Sequence, residues 1–204
     1  MTTTATIRNA IAIAATAALL GACASKGQPT AQYDFGPLTA ATPTSASRIA
    51  PLIIADVAGP AALETERMHY RLLYSDANQP RPYAYNQWTA TPAQLLTQRI
   101  KARIAQAGVK VLATTDAAAS TTVLRMEVED FAQNFDTATS SNGTLTLRAS
   151  VFRSHKLVDQ KTFSSSVAAT SADAAGGARA LSAASDAVAA DLITWLAALP
   201  PSKE

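Results

Sequence analysis

Residues 83–108 read YAYNQWTATPAQLLTQRIKARIAQAG, and the fold is decided there. The stretch opens as an extended aromatic segment, passes through Trp88, and then enters a helix with clear punctuation at both ends. Thr91 is a good N-cap, Pro92 suits the first helical position, and Gln94 completes a Thr-x-x-Gln capping box. Gly108 stands where a left-handed residue closes a helix. At 100° per residue Ala93, Leu96, Ile100, Ile104 and Ala107 share one stripe, with Gln94, Gln98, Lys101 and Gln106 away from it. Leu95 falls off the stripe, so it either meets a second surface or is exposed. The helix carries no catalytic group and reads as the core helix of a small domain that also contains strands.

Working outward, the flanks read as strands. Met68, Tyr70, Leu72 and Tyr74 alternate along the segment before the turn. A turn expected around Ser75–Pro82 returns the chain through Tyr83 and Tyr85 to Trp88. Arg48–Val57 is a buried strand candidate with Pro51 near its start, and Tyr33-Asp34-Phe35 is a short one ended by Gly36-Pro37. After Gly108, Val109–Ala113 is a short strand. Thr122–Asp130 then puts Leu124, Met126 and Val128 opposite Arg125, Glu127 and Glu129. Asn142-Gly143 signals a type I′ hairpin, Leu145–Val151 alternates again, Ser154-His155-Lys156 turns, and Leu157–Val167 returns. A last helix is expected after Gly176-Gly177, with Leu181, Ser185, Val188, Leu192, Trp195 and Leu199 on one stripe and Pro200-Pro201 as its stop. The expected fold class is α+β: a single antiparallel-rich sheet with two main helices packed on one face.

The N-terminus carries a different kind of signal. Arg8 supplies a small positive region, Ala10–Leu20 an apolar run of leader length, and Leu20-Gly21-Ala22-Cys23 resembles the lipobox of bacterial lipoproteins. In such proteins the cysteine thiol is acylated and the leader is cut before it. Cys23 is the sole cysteine, so no disulfide framework or cysteine-based metal site is expected. The expected organisation is a signal peptide over 1–22, a lipidated tether over 23–32 and a domain over 33–204. No segment after the leader is expected to be long and apolar enough to span a bilayer.

Charge and motifs exclude several classes. A leader containing only Arg8 takes the 17 basic residues to 16, against 15 acidic ones, too balanced for a nucleic-acid surface. There is no phosphate loop, dinucleotide fingerprint or Gly-x-Ser-x-Gly, and His69 and His155 lack ligand spacing. Glu127, Glu129 and Asp130 read as the solvated face of a strand. No catalytic residue, cofactor or metal ligand is expected. The aromatic set Tyr70, Tyr74, Tyr83, Tyr85 and Trp88 reads either as hairpin packing or as a partner or lipid contact, and Tyr83 and Tyr85 are the candidate partner contacts.

With these residues in view, the chain resembles the ABC-type transport auxiliary lipoprotein family, which accompanies MCE (mammalian cell entry) transport systems. The lipobox, Tyr33–Pro37, the Arg48–Val57 strand and the path from MHYRLLYSD through Tyr85-Asn86-Gln87-Trp88 into the helix ending at Gly108 carry the resemblance. Residues 39–47 and 63–66 depart from the pattern. The resemblance implies a non-catalytic envelope lipoprotein that works with an MCE-domain protein, an ABC permease and its ATPase. Such systems move phospholipids or other hydrophobic molecules between inner and outer membranes. Ala24 is not the aspartate that retains many enteric lipoproteins in the inner membrane, so outer-membrane anchoring with a periplasmic domain is expected. A homo-oligomer is compatible with the sequence. Two further readings stay open: an activator lipoprotein resembling the N-terminal domain of TolB, and a periplasmic enzyme whose site is assembled from scattered residues.

Overall fold

The computed structural model describes residues 28–39, 49–113, 115 and 121–200. Cys23, the leader and most of residues 39–47 and 114–120 lie outside them. The strands are β1 (Ala31–Tyr33), β2 (Leu52–Ile54), β3 (Arg67–Leu72), β4 (Asp76–Trp88), β5 (Val111–Leu112), β6 (Thr122–Phe135), β7 (Ser141–Arg153) and β8 (Lys156–Ala168). The helices are α1 (Pro92–Gln106) and α2 (Ala174–Ala198), with a 3-10 turn at Ala61–Glu64. The fold is α+β, as the residue pattern predicts.

β6 is the spine of the eight-stranded sheet. One edge pairs antiparallel with β7, which pairs antiparallel with β8. The other edge forks: its first residues pair in parallel with β2, and Gln133–Phe135 pair in parallel with β3. From there β3 and β4 form an antiparallel hairpin, and β1 joins β4 in parallel. A register shift between Val128 and Asp130 gives β6 one extra residue, which moves the buried set from Leu124, Met126 and Val128 onto Phe131, Gln133 and Phe135. The expected strand over 122–130 therefore continues to Phe135.

The helices cover the apolar face of the sheet. Thr91 Oγ1 accepts from the Gln94 amide at 3.3 Å, Pro92 opens α1, and Gly108 closes it at φ +91°. Leu96, Ile100 and Ile104 are fully buried, and the off-stripe Leu95 is buried too, against the segment that follows β1. In α2, Leu181, Ser185, Val188, Leu192 and Trp195 are buried over β7 and β8. Contrary to the expectation that no later segment could span a bilayer, α2 is long and apolar enough to do so. Its packing against the sheet makes it the core helix instead.

The Asn-Gly signal fails for a physical reason. The β6–β7 turn lies at residues 136–140, whereas Asn142 and Gly143 sit inside β7 without the positive φ a type I′ turn needs. A Cβ on Gly143 would stand 2.5 Å from the Leu181 amide nitrogen, so this glycine is where the helix backbone rests on the strand. Likewise α2 starts before Gly176-Gly177, capped by Asp173, whose carboxylate accepts from the Gly176 amide at 2.7 Å. Gly177 makes room for the Gln133 side chain. The β3–β4 turn is at residues 73–75, and Pro80 and Pro82 lie within β4, where β1, paired only to Asn86–Trp88, leaves the outer edge open. Of the strand expected over Arg48–Val57, whose residue 48 lies outside the described residues, Leu52–Ile54 form a three-residue strand, and Asp34 and Phe35 fall beyond the end of β1.

Candidate functional site

The expected aromatic group divides into two. Trp88 is core, edge-on to Phe35 at 5.6 Å and tilted against Phe131 at 5.9 Å. Tyr70 packs on Tyr83 at 4.6 Å and edge-on to Phe135 at 5.7 Å. The Tyr83 hydroxyl donates to Gln133 Oε1 at 2.9 Å. The buried Gln133 amide in turn donates to Ser141 Oγ at 2.8 Å and to the Asp173 carbonyl at 3.1 Å. One glutamine thus joins the hairpin to β6, β7 and the start of α2. Burial, followed by the neighbouring Tyr70, Asp173 and Tyr33, pushes the Tyr83 phenol well above its ordinary range.

Tyr85 is placed differently. The β3–β4 register jumps between the pairs Arg67–Gln87 and His69–Pro82, so Tyr85 lies in an irregular stretch of β4, 50% exposed. Tyr74 at the hairpin turn is 52% exposed and Leu73 beside it 41%. Tyr83 therefore secures the hairpin, while Tyr85, Tyr74 and Leu73 present apolar surface to solvent.

Next to the hairpin, residues 34–39 form a strap across α1 and α2. Phe35 is buried, the Gly36 amide donates to Asp34 Oδ1 at 2.8 Å, and Gly36 takes φ +67°. The strap carbonyls are held from below: Ser182 Oγ donates to Phe35 O at 2.6 Å, Arg99 to Gly36 O at 3.0 Å, and Arg103 to Thr39 O at 2.8 Å. Both guanidiniums are oriented by Asp186. It accepts from Arg99 Nε and Nη2 at 2.7 and 2.8 Å, and from Arg103 Nε and Nη2 at 2.8 and 2.6 Å. Burial alone would raise the Asp186 pKa, but the hydrogen bonds from Arg103 and Arg99 and their charges outweigh it and hold the carboxyl below its usual range. A groove of about 550 Å³ runs between the strap and α2, along Tyr33, Phe35, Ala175, Ala178, Arg179 and Ser182.

The three acidic residues of β6 are paired. Arg148 bridges Glu127 and Glu129 on the outer face, and Arg71 meets Asp130 at 2.8 Å. Burial, then the Arg67 and Arg71 charges, lowers the His69 pKa. His155 stands in the β7–β8 turn at φ +61°. Among the described residues no group of three His, Cys, Asp or Glu could hold a metal. Sequence reasoning missed the Asp186 clamp, whose partners are 83 and 87 residues away, and the Tyr83–Gln133 bond across 50 residues.

The arrangement offers surfaces for contact. It is matched over residues 33–193 by the family model described as the ABC-type transport auxiliary lipoprotein component. No curated protein matches the chain. Among solved structures, protein XCC0632 from Xanthomonas campestris superposes with a TM-score of 0.62 at 17% identity, covering 85% of this chain and 88% of that one. An uncharacterized protein gives 0.62 at 13% identity, over 82% and 99%. Hypothetical protein CT253 from Chlamydia trachomatis gives 0.50 at 9% identity, over 74% and 97%. At these identities the likeness is one of fold.

Proposed function

The chain belongs to the ABC-type transport auxiliary lipoprotein family, and from that premise we propose that it is the non-catalytic, lipid-anchored partner of an MCE-type system carrying phospholipids or other hydrophobic molecules. In this reading Cys23 is the acylated residue, the tether expected over 23–32 ends at Thr30 because Ala31 and Gln32 belong to β1, and the domain faces the periplasm from the outer membrane. The observation that carries the reading is the family match, which runs from the end of β1 to the last turns of α2 and so takes in the whole domain. The ATPase and permease belong to other chains of the system, and this one supplies a docking surface for the MCE-domain protein.

The stretch of β4 around Tyr85 is that surface. Of the two candidate tyrosines, Tyr85 offers its ring to a partner, while Tyr83 holds the hairpin in place through Gln133. Large aromatics concentrate binding energy at interfaces, so Tyr85→Ala is expected to weaken partner binding about tenfold, or ~1.4 kcal/mol. Tyr83→Phe, which keeps the ring, is the companion variant. The test is co-purification of the MCE-domain protein with full-length lipidated wild type and with each variant. Equal recovery by Tyr85→Ala would move the contact elsewhere. Recovery of no transporter component by wild type would overturn the transport reading.

A further inference from the structure

We propose that the end of the sheet led by Leu73 and Tyr74 rests on the lipid surface that holds the anchor. The proposal rests on the reading that Cys23 is acylated, and it assigns an orientation and a contact which that reading leaves open.

Strand direction is the first argument. β4 runs from the hairpin turn toward Trp88, and β1 pairs with it in parallel, Ala31 beside Asn86. The chain therefore enters β1 from the side of the hairpin turn. β3 is parallel to β6 and the Leu73 amide bonds to the Phe135 carbonyl, so the β6–β7 turn lies at that same end. The Ser154-His155 turn and Leu157 lie at the other, a full length of β6 away.

Reach is the second. Eight residues separate Cys23 from Ala31. Eight residues reach at most ~29 Å when fully extended. Measured along β3, the hairpin turn lies about 20 Å from the start of β1 on the side from which the chain enters. The anchor thus lies no more than ~29 Å from the start of β1, and the turn covers about 20 Å of that distance.

Chemistry is the third. Leu73 and Tyr74 are among the most exposed large apolar side chains. A tyrosine places an apolar ring in the acyl boundary and its hydroxyl at the headgroups. The turns at residues 73–75 and 136–140, with Asp76 that opens β4, contain two charged residues, Asp76 and Asp136, and are otherwise apolar or hydroxyl-bearing. Neither turn carries a cation to attract anionic lipid, and on phosphatidylethanolamine, which has no net charge, the contact is apolar and insensitive to salt.

The test uses the full-length lipidated protein in phosphatidylethanolamine vesicles with plain or brominated acyl chains. Trp88 and Trp195 are buried and give a constant background. Tyr74→Trp adds a reporter at the proposed contact, and Leu157→Trp adds one at the far end, where Leu157 is 54% exposed. Brominated chains are expected to remove about half or more of the emission added by Tyr74→Trp at low and high salt, since an interfacial apolar group sinks ~5–10 Å into the headgroup and acyl boundary, toward the bromines. The emission added by Leu157→Trp should be unaffected. Equal quenching of the two reporters in protein whose N-terminal mass includes acyl chains overturns the orientation alone. Absence of any acyl mass overturns the anchoring reading and this proposal with it. Emission from the position-74 reporter that shifts with protein concentration in detergent, and is unquenched in vesicles, assigns the turn to a second copy and overturns the lipid contact.

Discussion

Replacing Asp186 with alanine removes the group that orients Arg99 and Arg103, and the cost follows from their burial. The Arg99 side chain is 7% exposed, and without Asp186 it keeps a single acceptor, the Gly36 carbonyl. Breaking a buried ion pair from one side costs about 3–5 kcal/mol; because Asp186 is itself 25% exposed, the lower end applies, about 3 kcal/mol. Asp186→Asn keeps an acceptor but loses the charge, and should cost roughly half of that. The matched control is Asp56→Ala, whose partner is Lys101 at 2.9 Å. With Asp56 86% exposed, it should cost less than about 0.5 kcal/mol. Urea unfolding of the full chain reads all three: with a slope of ~2 kcal/mol/M, Asp186→Ala shifts the midpoint down by about 1.5 M at unchanged slope. The sign with pH is also set. A carboxyl whose folded pKa lies below the ordinary 3.8 contributes stability above pH 3.8 and loses it as pH falls through the folded pKa. Asp186→Asn should accordingly flatten the acid limb below pH 3.8. An Asp186→Ala cost no greater than that of Asp56→Ala would refute the clamp.

Ile100→Ala and Leu192→Ala should each cost ~2–5 kcal/mol, since both side chains are fully buried, whereas exposed Gln98→Ala should stay within about 0.5 kcal/mol. Gly143→Ala forces a methyl group against the Leu181 backbone, which cannot swing aside, so a loss of ~1–3 kcal/mol is expected by thermal unfolding. His155→Gly should stabilise by about 1 kcal/mol by relieving a left-handed conformation at the β7–β8 turn, and an unchanged or lower midpoint would contradict that geometry.

What the residues disclose beforehand is the local part of the fold. Thr91, Pro92 and Gly108 fix α1 because a cap, a first-turn proline and a left-handed stop act on their own backbone neighbours. The alternation along β6 and β7 and the Ser154-His155 turn are legible for the same reason. Where a remote element decides the outcome, the local signal misleads. Gly143 answers to the helix backbone at Ala180 and Leu181, and Pro80 and Pro82 sit on an open strand edge instead of in a turn. Tyr83 and Tyr85, two residues apart, would share one face of a regular strand. Their different exposure comes from the register jump in β4 and from Gln133, neither of which has a signature near residue 83. Leu95, which its position left either to meet a second surface or to be exposed, is buried and lines a groove with the strap.

Placing a photoreactive amino acid at position 85 in full-length protein, irradiating living cells and identifying what becomes joined to it tests the docking account most directly. The account predicts an adduct with the MCE-domain component of an ABC-type transporter, and none from the same probe at Leu157. Adducts at position 85 with no transporter component, in cells where the protein is lipidated and abundant, would contradict it.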